Sequence, residues 1–299
     1  MDLKNHTRNQ HFVSQAEQRL NAANPSAEGE NQRIYSFTLK DRESYLVKID
    51  SMDAKKIEGE LCFGDLFSFD VLDDGNRYNF ESLFQQYENN IAASTKKILS
   101  FLPVDGEGAK SEIRRLFDFK ILNFVRNPYS IEKILNTFSP LRKLRPTNPL
   151  HLADFNRILQ GRKPHQRHLC QKLNISEVDY SDWLSVLFLL LTQFTANGGN
   201  ILEEVTEKMF QDPNKVVFVY IYTFDDKTCF ISDRGYSCPD PENVPFAMDF
   251  NLFAHGFIRY FIVDVDALTP EHTANNLVAR FKAMPKTFSV INISSVPMI

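Results

Sequence analysis

The run Lys215-Val216-Val217-Phe218-Val219-Tyr220-Ile221-Tyr222-Thr223-Phe224 decides the fold class. β-Branched and aromatic residues fill it and no charge interrupts it after Lys215, the composition of a central strand. Strands at Thr228 to Ser232, Ile258 to Val265 and Phe288 to Ile293 are expected to accompany it. Pro270 to Met284 reads as an amphipathic helix through Ala274, Leu277, Val278 and Phe281.

Upstream, the apolar period changes from two to 3.6. Asn79 to Leu102 places Phe80, Leu83, Phe84, Tyr87, Ile91 and Ile98 on one helix face, while Glu81, Glu88 and Thr95 repeat every seven residues along its flank. Ser111 to Arg126 is apolar on most sides, so that helix is expected to lie centrally. Helices at Ser130 to Phe138, Ser176 to Phe194 and Ile201 to Phe210 complete the middle of the chain. Trp183 to Leu191 falls well short of the roughly 20 apolar residues of a membrane span and reads as buried helix. At the other end, Asn9 to Leu20 reads as a short helix and Arg33 to Leu39 with Ser44 to Ile49 as a hairpin. The expected fold is α+β, a helical middle region packed with a mainly C-terminal β-sheet plus an N-terminal hairpin. A single domain over 1–299 is expected, with sub-regions 1–75, 76–212 and 213–299.

Composition removes several function classes. Cys62, Cys170, Cys229 and Cys238 show no C-x-x-C spacing, so neither a zinc site nor a disulfide framework is implied and a reducing cytoplasm suits them. The polar stretch from Met1 to Gln10 has no apolar core of a secretory signal. G-x-G-x-x-G, G-x-x-x-x-G-K-[ST], H-E-x-x-H and G-x-S-x-G are all missing, and with 11 Gly a phosphate-cradling loop is hard to place. No nucleophile motif favours a metabolic hydrolase.

Five residues need a chemical reason. His11 and Gln15 stand i, i+4 on the expected opening helix, beside its apolar strip of Phe12, Ala16 and Leu20. Glu88 borders an apolar face, and Arg126 ends the most buried helix; a Glu–Arg bridge between packed helices is the plainest reading of that pair, although active sites gather such groups too. Asp233 follows an expected strand, where a rigid sheet presents a carboxylate to a ligand, and turn capping is the commoner use of an Asp there. Arg126-Asn127 does not open an R-N-x-x-x-H ribonuclease signature, because Ile131 stands where the His is required.

The net charge of −4 hides a local bias. Between Arg142 and Lys172 lie Arg142, Lys143, Arg145, Arg157, Arg162, Lys163, Arg167 and Lys172 against the single acid Asp154. Such a field attracts phosphate backbones, RNA above all, and its plain alternative is a solvated basic face. The nucleic-acid contacts are expected from Arg142, Lys143, Arg145, Arg162, Lys163 and Arg167.

His11-Phe12-Val13-Ser14-Gln15, Tyr87-Glu88 ahead of Ile91-Ala92-Ala93, Arg126-Asn127-Pro128 and Phe230-Ile231-Ser232-Asp233 together resemble, in order and spacing, the motifs of the bacterial domain-of-unknown-function family 4238. Ser14 replaces that pattern's Pro, one Ser is missing before Asp233, and Arg234-Gly235 replaces Asn-Pro. The resemblance implies a prophage or mobile-element setting with an anti-phage defence role, and it selects His11, Gln15, Glu88, Arg126 and Asp233 as one shared site. The expected activity is a nuclease acting on RNA. His11 would be general base or acid, Arg126 the phosphate clamp and Gln15 an orienting group; Glu88 and Asp233 would transfer protons or hold a divalent metal such as magnesium. The alternative is a non-catalytic sensor that recognises a phage protein through the aromatic stretch Phe63 to Phe69.

Overall fold

The computed structural model describes residues 2–41, 43–73, 75–101, 107–194, 198–238, 246–265, 267 and 289–294. The N-terminal third is made of short ladders. β1 (Asn9–His11) precedes α1 (Gln15–Arg19), and β2 (Arg33–Ile34), β3 (Phe37–Asp41), β4 (Leu46–Ile49), β5 (Lys55–Lys56), β6 (Cys62–Gly64), β7 (Asp70–Asp73) and β8 (Asn76–Tyr78) follow. They pair as β1 with β6, β2 with β5, β3 with β4 and β7 with β8, all antiparallel.

The middle is helical: α2 (Glu81–Glu88), α3 (Ile91–Phe101), α4 (Lys110–Val125), α5 (Ile131–Thr137), α6 (Pro149–Gln160), α7 (Gln166–Leu173), α8 (Glu177–Leu191) and α9 (Ile201–Gln211). α8 begins where Ser176 accepts the Asp179 amide at 3.0 Å, and Trp183 to Leu191 are buried all round, as an apolar helix must be. α5, α6, α7 and α9 pack around it. Trp183 donates its indole N–H to the Val125 carbonyl at 2.8 Å, tying α8 to the end of α4.

The C-terminal third forms a sheet in the order β10 (Phe246–Phe253), β11 (Gly256–Asp264), β9 (Lys215–Thr223), β12 (Ser289–Ser294), with β12 parallel to β9 and the other pairs antiparallel. β9 is central, as its composition requires. Its buried residues Val217, Val219 and Ile221 alternate, and with Phe250, Ile258 and Tyr260 they turn one face to the helices. Tyr260 hydrogen-bonds the Ile113 carbonyl of α4 at 2.8 Å. The architecture is α+β, and one continuous apolar core runs from Leu3 through α4 and α8 to Ile262.

Four local expectations change. Asn9 to Leu20 is not one helix: Asn9, Gln10 and His11 pair with Gly64, Phe63 and Cys62, and the helix starts only after Ser14, which accepts the Glu17 amide. The strand partner lies some fifty residues away, where local periodicity cannot see it. Asn79 to Leu102 is two helices, divided at Asn89-Asn90, whose amides favour caps over helix interiors. Thr228 to Ser232 forms no strand; the segment is tied to the sheet's β10–β11 turn by Cys229 N–H to Ala254 O. Phe67 and Phe69 are core residues, so Phe63 to Phe69 is no exposed aromatic surface. β10, α6 and α7 are additional to the elements expected from sequence, and the expected helix from Pro270 to Met284 lies outside the described residues. Among the described residues no helix is long and apolar enough to cross a membrane.

Candidate functional site

Lys120, Asn123 and Arg126 recur every three residues along one side of α4 and its end, and all three are buried. Buried charge must be paired, and a chain of partners does so. Glu17 of α1 takes Lys120 on one carboxylate oxygen and the Asn123 amide on the other. Lys120 also donates to the Asn251 carbonyl of β10 at 2.6 Å. Asn123 passes the chain on by accepting from Arg126 Nη2 at 2.7 Å, and Arg126 Nη1 donates to Glu88 Oε1 at 2.5 Å. The guanidinium lies over the Phe84 ring, 5.1 Å from its centroid. The expected Glu88–Arg126 bridge is therefore present, as the last link of a polar rod running from the sheet to α2.

Three polar atoms at that end have no partner among the described residues although they are shielded from solvent: Arg126 Nε, His11 Nε2 and Glu81 Oε1. The groups share one electrostatic neighbourhood. Burial lowers the His11 pKa below its ordinary value, the Arg126 charge lowers it further, and the backbone of Ile57 and the Glu88 carboxylate oppose this. The imidazole is neutral at neutral pH. Burial pushes the Glu81 carboxyl up to about 7, with Arg126 opposing and Glu88 reinforcing the shift. Glu81 was not singled out from sequence, although its seven-residue spacing to Glu88 puts both carboxylates on one flank of α2, two turns apart.

The structure does not bring Gln15 or the Asp233 carboxylate into this cluster. Gln15 accepts from Arg19 Nη2 at 2.7 Å on an exposed turn, because His11 and Gln15 belong to different elements and do not share a helix face. The Asp233 carboxylate is exposed, bonded to Ser232 and facing Tyr129. Only its main chain approaches: Asn127 Nδ2 donates to Asp233 O at 2.8 Å, and Gly235, at φ +72°, lets the loop turn against Asn123 and Val13. Gln18, which had only its spacing to recommend it, is fully buried and donates to Val13 O and Glu60 O.

No family model, curated protein or solved structure matches the chain.

The donor set does not suit the divalent metal considered for Glu88 and Asp233. Glu88 is committed to Arg126, Asp233 stands apart, and among the described residues no group of three or more His, Cys, Asp or Glu is placed to hold a metal ion. What the cluster offers instead is a fixed cation with an unmade N–H, a neutral imidazole with an unmade ring nitrogen, and a carboxyl that changes protonation near neutral pH. Those are an anion clamp and two proton-transfer groups.

The basic block is partly neutralised. Arg142 donates to Asp182 at 2.5 and 2.9 Å, and Arg157 pairs with Asp70 and Asp154. The acids of α8 lie just beyond the window in which the sequence excess was counted. Arg145 lies over the Phe155 ring at 5.0 Å, and Lys163 donates to the Leu159 and Gly161 carbonyls. Lys143, Arg162 and Arg167 are exposed.

Proposed function

We propose that the His11, Glu81 and Arg126 cluster cleaves RNA, and that the chain acts in the cytoplasm as an anti-phage defence effector. The observation that supports this reading is that Arg126 Nε, His11 Nε2 and Glu81 Oε1, all shielded and without partners among the described residues, belong to groups coupled electrostatically through the Arg126 guanidinium. Buried polar atoms are almost always satisfied, so three in one electrostatic neighbourhood, with burial displacing the pKa values of His11 and Glu81, support a place prepared for a ligand. The resemblance in four short motifs supports the biological setting and carries no reaction.

The reaction such a set completes is one in which the substrate supplies the nucleophile. Arg126 Nε–H holds a non-bridging phosphate oxygen. His11 Nε2 accepts the proton of a ribose 2′-hydroxyl, O2′ bonds to phosphorus, the P–O5′ bond breaks, and the Glu81 carboxyl protonates O5′. The products are a 2′,3′-cyclic phosphate and a 5′-hydroxyl. Purified protein incubated with tRNA, rRNA and DNA, with and without magnesium, is expected to cut RNA in both conditions and to leave DNA intact. A wild-type protein inert on every RNA contradicts the proposal.

The sensor reading has its own supporting observation, now in a different place. β3 and β4 form a hairpin whose Phe37, Leu39 and Val47 share one face and are 41–47% exposed, with Tyr45 83% exposed at the turn and Phe230 packed on Phe37 at 4.9 Å. Apolar area of this kind marks binding surfaces. A Phe37→Asp, Val47→Asp double variant is expected to cut RNA normally. If it instead loses a phage protein in pull-downs while the wild type cuts nothing, the sensor reading replaces the catalytic one.

A further inference from the structure

Tyr129 stands three residues beyond Arg126 and is 42% exposed, and Asn127 caps its short turn by accepting the Tyr129 backbone amide at 3.0 Å. The ring is braced edge-on by Phe12 at 5.6 Å and by Phe63 at 6.3 Å. Phe63 is in turn covered by Lys172 of α7, whose Nζ lies 4.3 Å from the ring centroid. α7 then carries the surface onward. His168 lies one turn before Lys172 on the same face, Arg167 and Gln171 flank them, and Lys163 and His165 precede the helix. Two adjoining shallow depressions of about 520 and 580 Å³ lie on the Arg167–Gln171 side of α7 and share Arg167, Gln171 and Glu177. The exposed aromatic ring is thus joined through Phe63 to Lys172, from which the helix leads back to His168 and Arg167.

We propose that this band, from Tyr129 across Lys172 to Arg167, is a binding track for unpaired RNA. Resting on the cleavage reading above, it names the form of RNA that the site receives. A rigidly braced, exposed ring is a stacking platform for a splayed base, and stacking needs no base pairing or sequence. Cations on one helix face follow a phosphate backbone without reading it. The acids fix the course of the strand: the Asp233 charge beside Tyr129 and Glu177 at the rim of the depressions repel phosphates, leaving Lys172, His168 and Arg167 to hold them. A duplex keeps its bases stacked on one another, so it cannot use Tyr129.

The test is fluorescence anisotropy of the full chain with a labelled, unstructured 2′-O-methyl oligonucleotide of about 12 nucleotides, the length of an ordinary single-strand site, against its duplex. The single strand is expected to bind at least tenfold more tightly. Tyr129→Ala is expected to weaken it about tenfold, while Tyr129→Phe, which keeps the ring, stays within twofold. Lys172→Ala is expected to lower the salt slope by about one. These side chains are exposed, and a thermal melt matching wild type establishes that each variant is folded. Equal binding of duplex and single strand, or unchanged binding by Tyr129→Ala, overturns the track. Wild-type protein that cuts RNA with such results loses the track alone; wild-type protein that binds as expected and cuts no RNA loses the cleavage reading alone.

Discussion

Glu81→Gln is expected to lower RNA cleavage by about 10²- to 10⁴-fold, the usual contribution of a positioned proton-transfer group, and to make the protein more stable at pH 8. The two effects come from one cause. The carboxyl sits at about 7 in the folded chain against an ordinary 4.5, because burial disfavours its charge. The folded state therefore holds the proton more tightly than the unfolded state. That stability is complete below about pH 4.5 and is lost as pH rises through 7. Allowing for the partial exposure of the residue, a displacement of this size corresponds to about 2 kcal/mol. Glutamine stays neutral, so urea midpoints should favour the variant at pH 8 and coincide with wild type near pH 4. Wild-type cleavage should also decline above pH 7 as the protonated fraction falls. A Glu81 that serves packing alone would raise stability and leave cleavage unchanged, and that result would remove it from the site.

Glu17→Ala should be among the most damaging single substitutions for stability. It strips the partner from Lys120, which is 1% exposed, and from the Asn123 amide, leaving a buried ammonium uncompensated. The cost expected for breaking such a pair is about 3–5 kcal/mol, a large part of the stability of an ordinary domain. Replacing both partners, Glu17→Gln with Lys120→Met, removes the charge as well as its partner and should restore most of the loss. Chemical denaturation of the two proteins measures this. Equal destabilisation in the single and double variants would show that the ion pair is not what the rod depends on.

The parts of the fold that could be read from sequence are those whose signal is local. β9 is legible because a run of β-branched and aromatic residues has one good use, and α4 and α8 because they are apolar nearly all round. β1 is not, since its partner Cys62–Gly64 is remote and its residues also fit a helical spacing. The site divides in the same way. Arg126 and Glu88 were visible as charges on apolar faces, and the structure joins them. His11 is coupled to them from strand β1 and not from a helix. Glu17 and Lys120 are not legible, because each looks like an ordinary surface charge until α1 is laid against α4. Asp233 reads as a strand end, and the strand is not there.

The most direct test of the cleaving cluster is an end-labelled RNA carrying a single 2′-deoxyribose at a mapped scission point, incubated with wild-type protein in EDTA. Scission of the all-ribose strand to a 2′,3′-cyclic phosphate and a 5′-hydroxyl, with none at the deoxyribose, is the result predicted by a clamp and two proton-transfer groups acting on the substrate's own hydroxyl. Equal scission at the deoxyribose, or no scission of either strand, would contradict it.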